Sequence, residues 1–340
     1  MSRIQFSHTY DDIISLENLL LAWKEFLDGK RNRKDVQEFE RNLMSNIFNL
    51  RNDLKNKTYK HSQYEAFKIS DPKPRSIHKA RVRDRLLHHA IYRILYPFFD
   101  TKFIHDSYSC RIGKGTHKAI NRFRKFGSLA SKNHTKTAWV LKGDIRKFFA
   151  NIDHKILKNI LSKTIFDTDV LWLLSQIIDS FSSNPTGLAY GVKGLPLGNL
   201  TSQLLVNIYM NEFDQFIKRN LKVKYYVRYA DDFVILNENK DCLEKLLLKI
   251  GSFLNESLKL SLHPDKVFIK TLVSGVDFLG WVHFPKHRIL RTSTKRRMLK
   301  NLENNPKKES AMSYLGMLKH GNTKKLKKEI ENYIFVKALG

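Results

Sequence analysis

The amino-acid sequence predicts an α+β fold in which helices surround an antiparallel sheet. Apolar residues recur at helical spacing through the first sixty residues and in several later segments. Two short β-rich runs, residues 223–230 and 233–236, flank the pair Asp231-Asp232 and indicate a hairpin with acidic residues at its tip. Beyond Thr292 the pattern is helical and very basic. Together these observations predict a mixed core followed by a basic helical region.

The length and the charge narrow the class of protein. A chain of 340 residues suits two or three lobes around a shared core, and a hydrophobic fraction of 42% is enough for a buried interior. The 61 Lys and Arg residues outnumber the 33 Asp and Glu residues, so the formal net charge is +28. Such a surface attracts phosphates and gains affinity from counterion release. A nucleic-acid partner is therefore favoured as the explanation of the charge over an ordinary solvated basic surface.

The cysteines and the hydropathy pattern predict a soluble, cytoplasmic protein. Cys110 and Cys242 lie far apart without CxxC spacing, which disfavours both a disulfide framework and a zinc site. The first thirty residues mix charged and apolar positions, unlike a secretory signal. No run of eighteen apolar residues occurs. We therefore expect a reducing compartment that contains nucleic acid, and no membrane partner.

The N-terminal part, to about Tyr59, predicts two helices, one over residues 16–26 and one over residues 39–54. The basic break at 29–33 separates them. A turn at 71–77 leads into an extended segment. A further helix is expected to reach Tyr96 and to end at Pro97, because proline lacks the amide hydrogen that a helix interior uses.

The central part contains the strands and the acids. Residues 138–141 form a short apolar run that predicts a buried strand, and Asp144 lies just beyond it. The elements expected next are a helix from about His154, a helix from about Val170, a glycine-rich loop at 187–198 and a long amphipathic helix at 200–217.

The C-terminal part predicts a helix at 240–258, strands at 267–269 and 278–284, and basic helices beyond Thr292. Changes in pattern place boundaries near residues 62 and 290. The chain is therefore expected to have three regions: an N-terminal helical extension (1–62), a mixed central region (63–290) and a basic helical region (291–340).

The acids at the hairpin tip indicate metal-dependent chemistry. Nucleotidyl transfer uses two hard cations, one to activate a hydroxyl nucleophile and one to stabilise the phosphates and the leaving group. Mg²⁺ prefers oxygen ligands and binds through one or two carboxylates together with substrate phosphates. Asp144 and the pair Asp231-Asp232 meet that requirement if their strands are neighbours. Aspartate also favours turns for purely local reasons, which is the alternative explanation of the pair.

Five motifs in order carry a resemblance to a known family. They are Lys73-Pro-Arg-Ser-Ile77, Leu141-Lys-Gly-Asp-Ile-Arg-Lys-Phe-Phe149, Gly194-Leu-Pro-Leu-Gly-Asn-Leu-Thr-Ser-Gln203, Tyr226-Val-Arg-Tyr-Ala-Asp-Asp-Phe-Val-Ile235 and Phe278-Leu-Gly-Trp281. Together they resemble the motifs of reverse transcriptases over roughly residues 60–320. The resemblance implies an RNA-directed DNA polymerase of right-hand shape. Fingers and an antiparallel-sheet palm would occupy 63–290 and a small helical thumb 291–340, preceded by the N-terminal extension.

The resemblance implies a role for each acid. Asp144 and Asp231 are expected to ligate two Mg²⁺ ions, or Mn²⁺ in their place, and Asp232 to support them at the same tip. The main-chain carbonyl of Ile145 is expected to add a further oxygen ligand. The partners implied are a template RNA, a cDNA primer–template duplex and dNTPs.

The resemblance also implies contacts to the incoming deoxynucleotide. Phe149 stands where relatives place a ring under the sugar, which leaves no room for a 2′-hydroxyl. Arg75 and Arg81 lie on the finger segment that closes over the triphosphate, where guanidinium groups fork onto phosphate oxygens. Lys266 matches a lysine thought to protonate the leaving pyrophosphate, and the loop residues Leu197-Gly198 border the nucleotide.

Each of these residues also has a plainer explanation. Phe149 adjoins Phe148 and has the character of an ordinary core residue. In a chain this basic, single arginines and lysines are also expected on the solvated surface. The segment Phe278-Leu279-Gly280-Trp281 resembles the primer grip, a hairpin that supports the primer end. The alternative there is a cross-strand pair of core residues.

The loop before the long helix departs from most reverse transcriptases, which carry Gln-Gly and a closing Ser-Pro. Here Leu197 precedes Gly198, and Gln203 stands in place of the proline. This departure, together with segments 106–117 and 313–322, resembles the reverse transcriptases of diversity-generating retroelements. Such enzymes copy a template-repeat RNA into cDNA and misinsert opposite template adenines, which diversifies a target gene. They work with a small basic accessory protein, the accessory variability determinant.

Other lineages and classes stay open. Leu197 lacks the hydrogen-bonding side-chain amide of the usual glutamine, which fits an error-prone enzyme. The segment Tyr229-Ala-Asp-Asp232, however, is more typical of group II intron enzymes. About 108 residues follow Asp232, fewer than a maturase normally carries. A phage-defence reverse transcriptase and a non-catalytic RNA-binding scaffold are further alternatives. The ring of Phe149 disfavours an RNA-templated RNA polymerase.

Overall fold

The structure, a computed structural model, describes residues 5–70, 74–183, 192–304 and 307–338. Contacts divide the chain into two compact units, each made of three segments. Unit 1 comprises residues 1–105, 145–220 and 251–262, and unit 2 comprises residues 106–144, 221–250 and 263–340. The three regions expected from the sequence, with boundaries near 62 and 290, stay a prediction.

The described helices are named in chain order. They are α1 (Tyr10–Ile14), α2 (Leu16–Phe26), α3 (Lys34–Arg41), α4 (Leu43–Lys55), α5 (Val82–Lys102), α6 (Thr116–Ala130), α7 (His154–Ser162), α8 (Thr168–Asp179), α9 (Leu200–Gln215), α10 (Lys240–Leu258), α11 (Thr292–Asn304), α12 (Lys308–Leu318) and α13 (Lys324–Ala338). No helix within these described ranges is long and apolar enough to cross a membrane.

The strands are all antiparallel to their partners. They are β1 (Glu65–Ile69), β2 (Arg75–Lys79), β3 (Trp139–Asp144), β4 (Tyr225–Tyr229), β5 (Asp232–Asn237), β6 (Phe268–Thr271), β7 (Val276–Phe278), β8 (Trp281–His283) and β9 (Arg288–Leu290). They form three sheets, ordered β1-β2, β4-β5-β3-β6 and β7-β8-β9. This mixture of helices and antiparallel sheets confirms the predicted α+β fold.

The helices of unit 1 pack around α5, which contacts both α2 and α9. Asn18 of α2 donates from Nδ2 to the carbonyl of Ala90 in α5 over 3.1 Å. Burying a Leu or Phe side chain stabilises a fold by roughly 1.5–3 kcal/mol, and these helices bury many. Buried residues among them include Leu19, Phe26, Leu86, Leu87, Ile91, Leu204, Leu205 and Phe213.

The N-terminal helical pattern is divided more finely than the sequence predicted. Four helices occur where two were expected, because new helices begin at Leu16 and Leu43. Ser15 ends α1, and its side chain accepts a hydrogen bond from the amide of Asn18 and so begins α2. Asn42 has a non-helical conformation, with φ −119° and ψ 36°, and separates α3 from α4.

The prediction that a helix ends at Pro97 was wrong, since α5 continues to Lys102. Pro97 is exposed, so the carbonyl that loses its amide partner can bond to water. Leu95 and Phe99, on either side of the proline, are buried and hold both halves of the helix against the core.

The single strand predicted at 278–284 was also wrong. Residues Leu279 and Gly280 have φ values of +51° and +85° and form a two-residue turn between β7 and β8. Positive φ at both central residues is the requirement of the type I′ turn, which matches the twist of a β-hairpin. The segment is therefore a hairpin rather than one strand.

Unit 2 is built on the four-stranded sheet, against which α6 packs through β4 and β5. Gly143 of β3 lies opposite Phe233 of β5. A Cβ atom added at Gly143 would lie 2.2 Å from the Phe233 ring, closer than any real contact. The glycine therefore lets the aromatic ring lie against the backbone of the neighbouring strand, one residue before Asp144.

Candidate active site

Asp144 and Asp232 lie at adjoining ends of neighbouring strands in unit 2. β3 ends at Asp144, β5 begins at Asp232, and the two residues are paired directly across the antiparallel ladder. Directly paired residues have Cβ atoms about 4.5–5.5 Å apart and point to the same face. The two carboxyl groups are therefore neighbours, as the sequence predicted.

Asp231 occupies the turn that precedes β5. Tyr229 pairs with Asp232, so Ala230-Asp231 is a two-residue connection between β4 and β5. Ala230 has φ +54°, which the tight hairpin turn requires. Asp231 therefore stands beside the Asp144–Asp232 pair. We call these three aspartates the acidic tip.

A buried arginine holds the hairpin below the acidic tip. Arg228 is fully buried, and its Nη1 donates to the carbonyl of Ala230 over 3.1 Å. Its Nη2 donates to Oγ of Ser107 over 3.0 Å. Arg228 was not predicted from the sequence, although an arginine inside an apolar strand was a usable signal. Arg228 fixes the main chain that presents Asp231.

Two lysines lie against the acidic tip. Nζ of Lys266 donates to Oδ1 of Asp144 over 2.9 Å. Nζ of Lys142 lies 3.4 Å from Oδ1 of Asp232, and the Lys142 side chain is only 9% exposed. Lys266 was predicted from the resemblance to act on pyrophosphate, and the structure places it on a predicted metal ligand. Lys142 was missed, although it interrupts a run of buried strand residues.

Two carboxyl groups of the acidic tip have raised pKa values. Burial, together with the charges of Asp232 and Asp144, raises the pKa of Asp231 to about 6. Burial also raises the pKa of Asp232, against the lowering effect of the Lys142 charge. Both shifts show that negative charge on these carboxylates is unfavourable. The two lysines do not supply enough positive charge to balance it.

The donor chemistry of the acidic tip fits hard divalent cations. Oδ1 of Asp232 is buried and has no hydrogen-bond partner in the part of the chain that the structure describes. Across those same residues, no three His, Cys, Asp or Glu side chains are already arranged to hold a metal ion. The carboxylate oxygens present are the ligand type that Mg²⁺ prefers, and Mg²⁺ completes its shell with water and substrate phosphates. Ile145 follows directly and bridges to Leu262 within unit 1, and its role as a carbonyl ligand stays a prediction.

Phe149 belongs to unit 1, in the short 3₁₀ turn Phe148–Asn151. Lys147, just before the turn, has φ +45° and redirects the chain. Phe148 is buried with 4% of its surface exposed, whereas Phe149 is half-buried. The two neighbours therefore differ: Phe148 is a core residue, and Phe149 keeps part of its surface exposed.

Residues 197–199, which we call the 197–199 loop, are held against β2 within unit 1. The amide of His78 donates to the carbonyl of Leu197 over 3.0 Å. Gly198 has φ +114°, and a Cβ atom there would lie 3.0 Å from Cγ2 of Ile77. The main chain is therefore fixed, while the Leu197 side chain stays half-buried.

The predicted triphosphate contacts lie on the same small sheet and the helix after it. Arg75 begins β2 and Arg81 directly precedes α5, and both are exposed. Their exposure suits a phosphate contact and also a solvated surface, so their role stays a prediction. Lys73 lies outside the described residues, as do 184–191 of the glycine-rich loop.

The predicted primer grip is the β7–β8 hairpin of unit 2. Phe278 and Trp281 pair across the strands and are both buried. A Cβ atom at Gly321 would lie 2.0 Å from the Trp281 ring, so the indole packs tightly on that glycine. These two aromatic residues are core residues, and the turn residues Leu279 and Gly280 form the hairpin's outer end. A contact with primer stays a prediction.

The comparisons with known proteins decide the family. Residues 65–284, more than half of the chain, match the family model described as reverse transcriptase (RNA-dependent DNA polymerase). The chain belongs to the reverse transcriptase family. The matched range contains all three residues of the acidic tip and excludes the four N-terminal helices α1 to α4.

Individual relatives of this reverse transcriptase are distant. Protein YkfC of Escherichia coli (strain K12) is 28% identical over 254 residues, and the match covers 65% of each chain. The group II intron-encoded protein LtrA of Lactococcus lactis subsp. cremoris is 23% identical over 262 residues, covering 58% of this chain and 42% of LtrA. The chain thus spans less than two thirds of each of these relatives.

A solved structure supports the fold. Apo telomerase from Candida tropicalis, truncated from its C-terminal domain, matches with a TM-score of 0.50 at 14% identity. The match covers 70% of this chain and 58% of that chain. At this identity the likeness supports the reverse-transcriptase-like fold alone.

Proposed function

We propose that this chain is an RNA-directed DNA polymerase that copies a template RNA into cDNA, with dNTPs and a primer–template duplex as substrates. The observation that carries the proposal is the direct pairing of Asp144 with Asp232, beside Asp231 in the adjoining turn. Membership of the reverse transcriptase family supports it. The net charge of +28 suits a protein that holds nucleic acid along an extended surface.

The proposed cofactor is Mg²⁺, as two ions, with Mn²⁺ able to substitute. Asp144, Asp231 and Asp232 supply carboxylate oxygens, and the carbonyl of Ile145 supplies one more. When bound, the ions stabilise the attacking 3′-oxygen and the departing pyrophosphate. Lys266 holds a proton next to Asp144, where it can be transferred to the leaving group.

The other proposed nucleotide contacts are residues of unit 1. The half-buried ring of Phe149 selects deoxynucleotides by excluding a 2′-hydroxyl. Leu197-Gly198 borders the nucleotide through a loop whose main chain is held by the amide of His78. Arg75 and Arg81 contact the triphosphate, where two guanidinium groups match phosphate oxygens.

For the lineage we propose an error-prone enzyme of a diversity-generating retroelement, which copies a template-repeat RNA with the help of a small basic accessory protein. Leu197, in place of a hydrogen-bonding glutamine, supports this assignment. The alternative is a group II intron-like or phage-defence lineage, and the similarity to LtrA favours the group II intron-like one. The neighbouring DNA distinguishes them: a nearby repeat pair that differs at adenines supports the first, and its absence supports the second.

Primer extension on an RNA template tests the activity. We expect the wild-type chain to extend a DNA primer with dNTPs in Mg²⁺. Asp231→Asn should reduce the rate on the order of a thousandfold, several kcal/mol of activation free energy, because it removes one metal ligand. RNA binding should be preserved, because this residue contacts no phosphate directly.

Asp265→Asn is the matched control, since Asp265 is an aspartate of unit 2 with an 87% exposed side chain. It should extend the primer like the wild type. A wild-type chain that binds RNA but adds no nucleotide would identify a scaffold instead. An Asp231→Asn variant that extends the primer at the wild-type rate would contradict the assignment of Asp231 as a metal ligand.

A further inference from the structure

Unit 2 contains an open pocket at the ends of β4 and β5 that lie away from the acidic tip. Its volume is about 400 Å³. Tyr225 of β4 and Leu236 of β5 both line it, and these two residues pair across the strands. Tyr229 and Asp232 pair at the other end of the same hairpin. At about 3.3 Å per residue, the acidic tip is therefore about 13 Å away along the strands. We call this pocket the β4–β5 pocket.

The wall of the β4–β5 pocket is mainly aliphatic. Val223 and Leu236 are buried, and Leu246 of α10 is half-buried. Leu129, at the end of α6, is 45% exposed and offers apolar surface that a ligand can cover. The volume of about 400 Å³ is within the range of roughly 300–1,000 Å³ for sites that enclose a small molecule. The wall therefore favours a ligand with an apolar body.

The β4–β5 pocket is also cationic. Lys132, Lys222 and Lys224 line it and are exposed, and Glu238 is the one acid among its described lining residues. Three lysines against one glutamate leave a net charge of +2. Nζ of Lys132 lies 3.4 Å from a carboxylate oxygen of Glu238. Nζ of Lys224 lies 5.3 Å from the centre of the Tyr225 ring, which places this charge beside the pocket wall.

Neighbouring acids do not cancel this charge. Asp241 and Glu244 of α10 lie outside the lining of the pocket, and Nζ of Lys240 lies 2.9 Å from a carboxylate oxygen of Glu244. Within the part of the chain that the structure describes, Lys222 forms no ion pair. An ammonium group has three donors. Lys222 can therefore hold the acid group of a ligand.

We propose that the β4–β5 pocket binds a small organic anion. Lys222 and Lys224 hold its acid group, a carboxylate or a phosphate, and its apolar body covers Leu129 and Leu246. Both parts are needed, because an exposed ion pair alone is weak in water and the apolar wall alone gains nothing from the lysines. The proposal goes beyond the polymerase function and does not depend on it, since the pocket lies at the opposite end of the hairpin from the acidic tip.

Alkylation of two cysteines locates the binding. Cys242 lines the pocket and Cys110 does not, and both thiols are exposed. The probe is octyl phosphate, used below the concentration at which it forms micelles. Mass spectrometry gives the rate at which iodoacetamide modifies each cysteine. At about ten times its Kd, the probe should slow the alkylation of Cys242 by about tenfold and leave that of Cys110 unchanged. Equal protection of both cysteines would contradict a specific site.

Two further probes separate the parts of the ligand. Inorganic phosphate carries the acid group alone, and octanol carries the apolar body alone. Each should need at least about a tenfold higher concentration than octyl phosphate for the same protection of Cys242. If inorganic phosphate protects as well as octyl phosphate, the pocket is a simple anion site and the proposal is wrong. If octanol does so, the lysines take no part and the proposal is equally wrong.

Lys222→Gly tests the acid-binding lysine without disturbing the fold. Lys222 has φ +53°, which glycine adopts without steric cost, so the melting temperature should change little. The affinity for octyl phosphate should fall about fivefold, as loss of one exposed ion pair implies. Lys259→Gly is the matched control, because Lys259 is exposed, has φ +49° and lies outside the pocket. Equal affinities of the two variants would overturn the proposal.

Leu246→Ala tests the apolar body. It should lower the affinity for octyl phosphate about threefold, because part of the covered apolar surface is lost. Leu248→Ala is the matched control on the same helix, since Leu248 is 74% exposed and does not line the pocket. It should bind the probe like the wild type. Equal affinities of these two variants would contradict an apolar contact at Leu246.

Asp231→Asn checks that the probe does not bind at the acidic tip. This variant should bind octyl phosphate with the wild-type affinity, because the pocket lies about 13 Å along the strands from the tip. A changed affinity would place the probe at the acidic tip and contradict the proposal. Primer extension is not used in any of these measurements, so failure of the polymerase proposal is seen separately, as absence of extension by a wild-type chain in which the probe still protects Cys242.

Discussion

The acidic tip of unit 2 and the 197–199 loop of unit 1 are built in different ways. The tip is held by strand pairing, and two lysines lie against its carboxylates. The loop is held by one main-chain hydrogen bond and a glycine with positive φ. No charged side chain within the described residues of the loop itself takes part.

This difference predicts two kinds of mutational response. At the acidic tip, a substitution changes the balance of buried charges, so stability and metal response change together. At the 197–199 loop and at Phe149, a substitution changes what is recognised and leaves the fold intact. Each prediction below tests whether that separation holds.

The largest effect is expected at Lys142. Lys142→Met leaves the half-buried carboxylate of Asp232 without the lysine that lies 3.4 Å from its Oδ1, so the free energy of unfolding in EDTA should fall by about 2–3 kcal/mol. Added Mg²⁺ should then raise the melting temperature more than it does for the wild type, because the ion replaces the missing charge. Thermal unfolding with and without Mg²⁺ measures both.

Lys270→Met is the matched control for Lys142→Met. Lys270 lies on the neighbouring strand β6 and is exposed. The same charge is lost, but stability in EDTA should change by less than about 0.5 kcal/mol. Equal behaviour of the two variants would show that Lys142 does not balance the acidic tip.

The next effect concerns sugar selection. Phe149→Val should increase the use of rNTPs relative to dNTPs by about tenfold or more, which is 1.4 kcal/mol per factor of ten. Single-nucleotide incorporation with each nucleotide type measures the ratio. Phe148→Val should instead lower stability, because Phe148 is the buried neighbour, and should leave the ratio unchanged. If Phe148→Val changed the ratio and Phe149→Val only lowered stability, Phe148 would be the selecting residue and Phe149 the core residue.

A comparable effect, on stability, is expected from Asp231→Asn. The pKa of Asp231 in the folded chain is about 6, above its ordinary value of 3.8. The folded state therefore holds this proton more tightly than the unfolded state, and ionised Asp231 destabilises the fold above about pH 6. In EDTA at pH 7 the variant should be more stable by about 1–2 kcal/mol.

This gain should disappear as the pH falls toward 4, where Asp231 is protonated in the folded wild type. Chemical denaturation at several pH values measures it. Asp265→Asn should show no such pH-dependent gain. A gain that is constant between pH 4 and pH 7 would contradict the raised pKa.

The smallest effect is expected at Leu197. Leu197→Gln should lower misinsertion opposite template adenine by about threefold, under 1 kcal/mol, because an amide restores a polar contact that discriminates geometry. Sequencing of cDNA products measures the errors, and template cytosines serve as the internal control. An unchanged error spectrum would weaken the diversity-generating assignment.

Local patterns predicted much of the fold and of the site. The helix at 200–217, the helix at 240–258 and the strands around Asp231 all occur close to their expected positions. These elements have strong periodicity and clear boundaries. The three aspartates were also identified correctly as neighbours, because acids at strand ends combine with a recognisable order of motifs.

The remaining features depend on contacts that local patterns do not contain. Pro97 stays inside a helix because it is exposed and its buried neighbours hold both sides. Lys142 balances Asp232 only because β3 and β5 pair, and these strands are distant in the chain. A small cavity of unit 1 gathers residues from α2, α5 and α9. Such juxtapositions become visible only when the packing of helices and strands is known.

Gly143 has a practical consequence for engineering this protein. The Phe233 ring occupies the space of any Cβ atom at that position, one residue before Asp144. A randomised library at residue 143 should therefore return glycine alone among active clones. Directed evolution of nucleotide choice or fidelity should instead diversify Phe149 and Leu197, whose half-buried side chains leave room for new shapes.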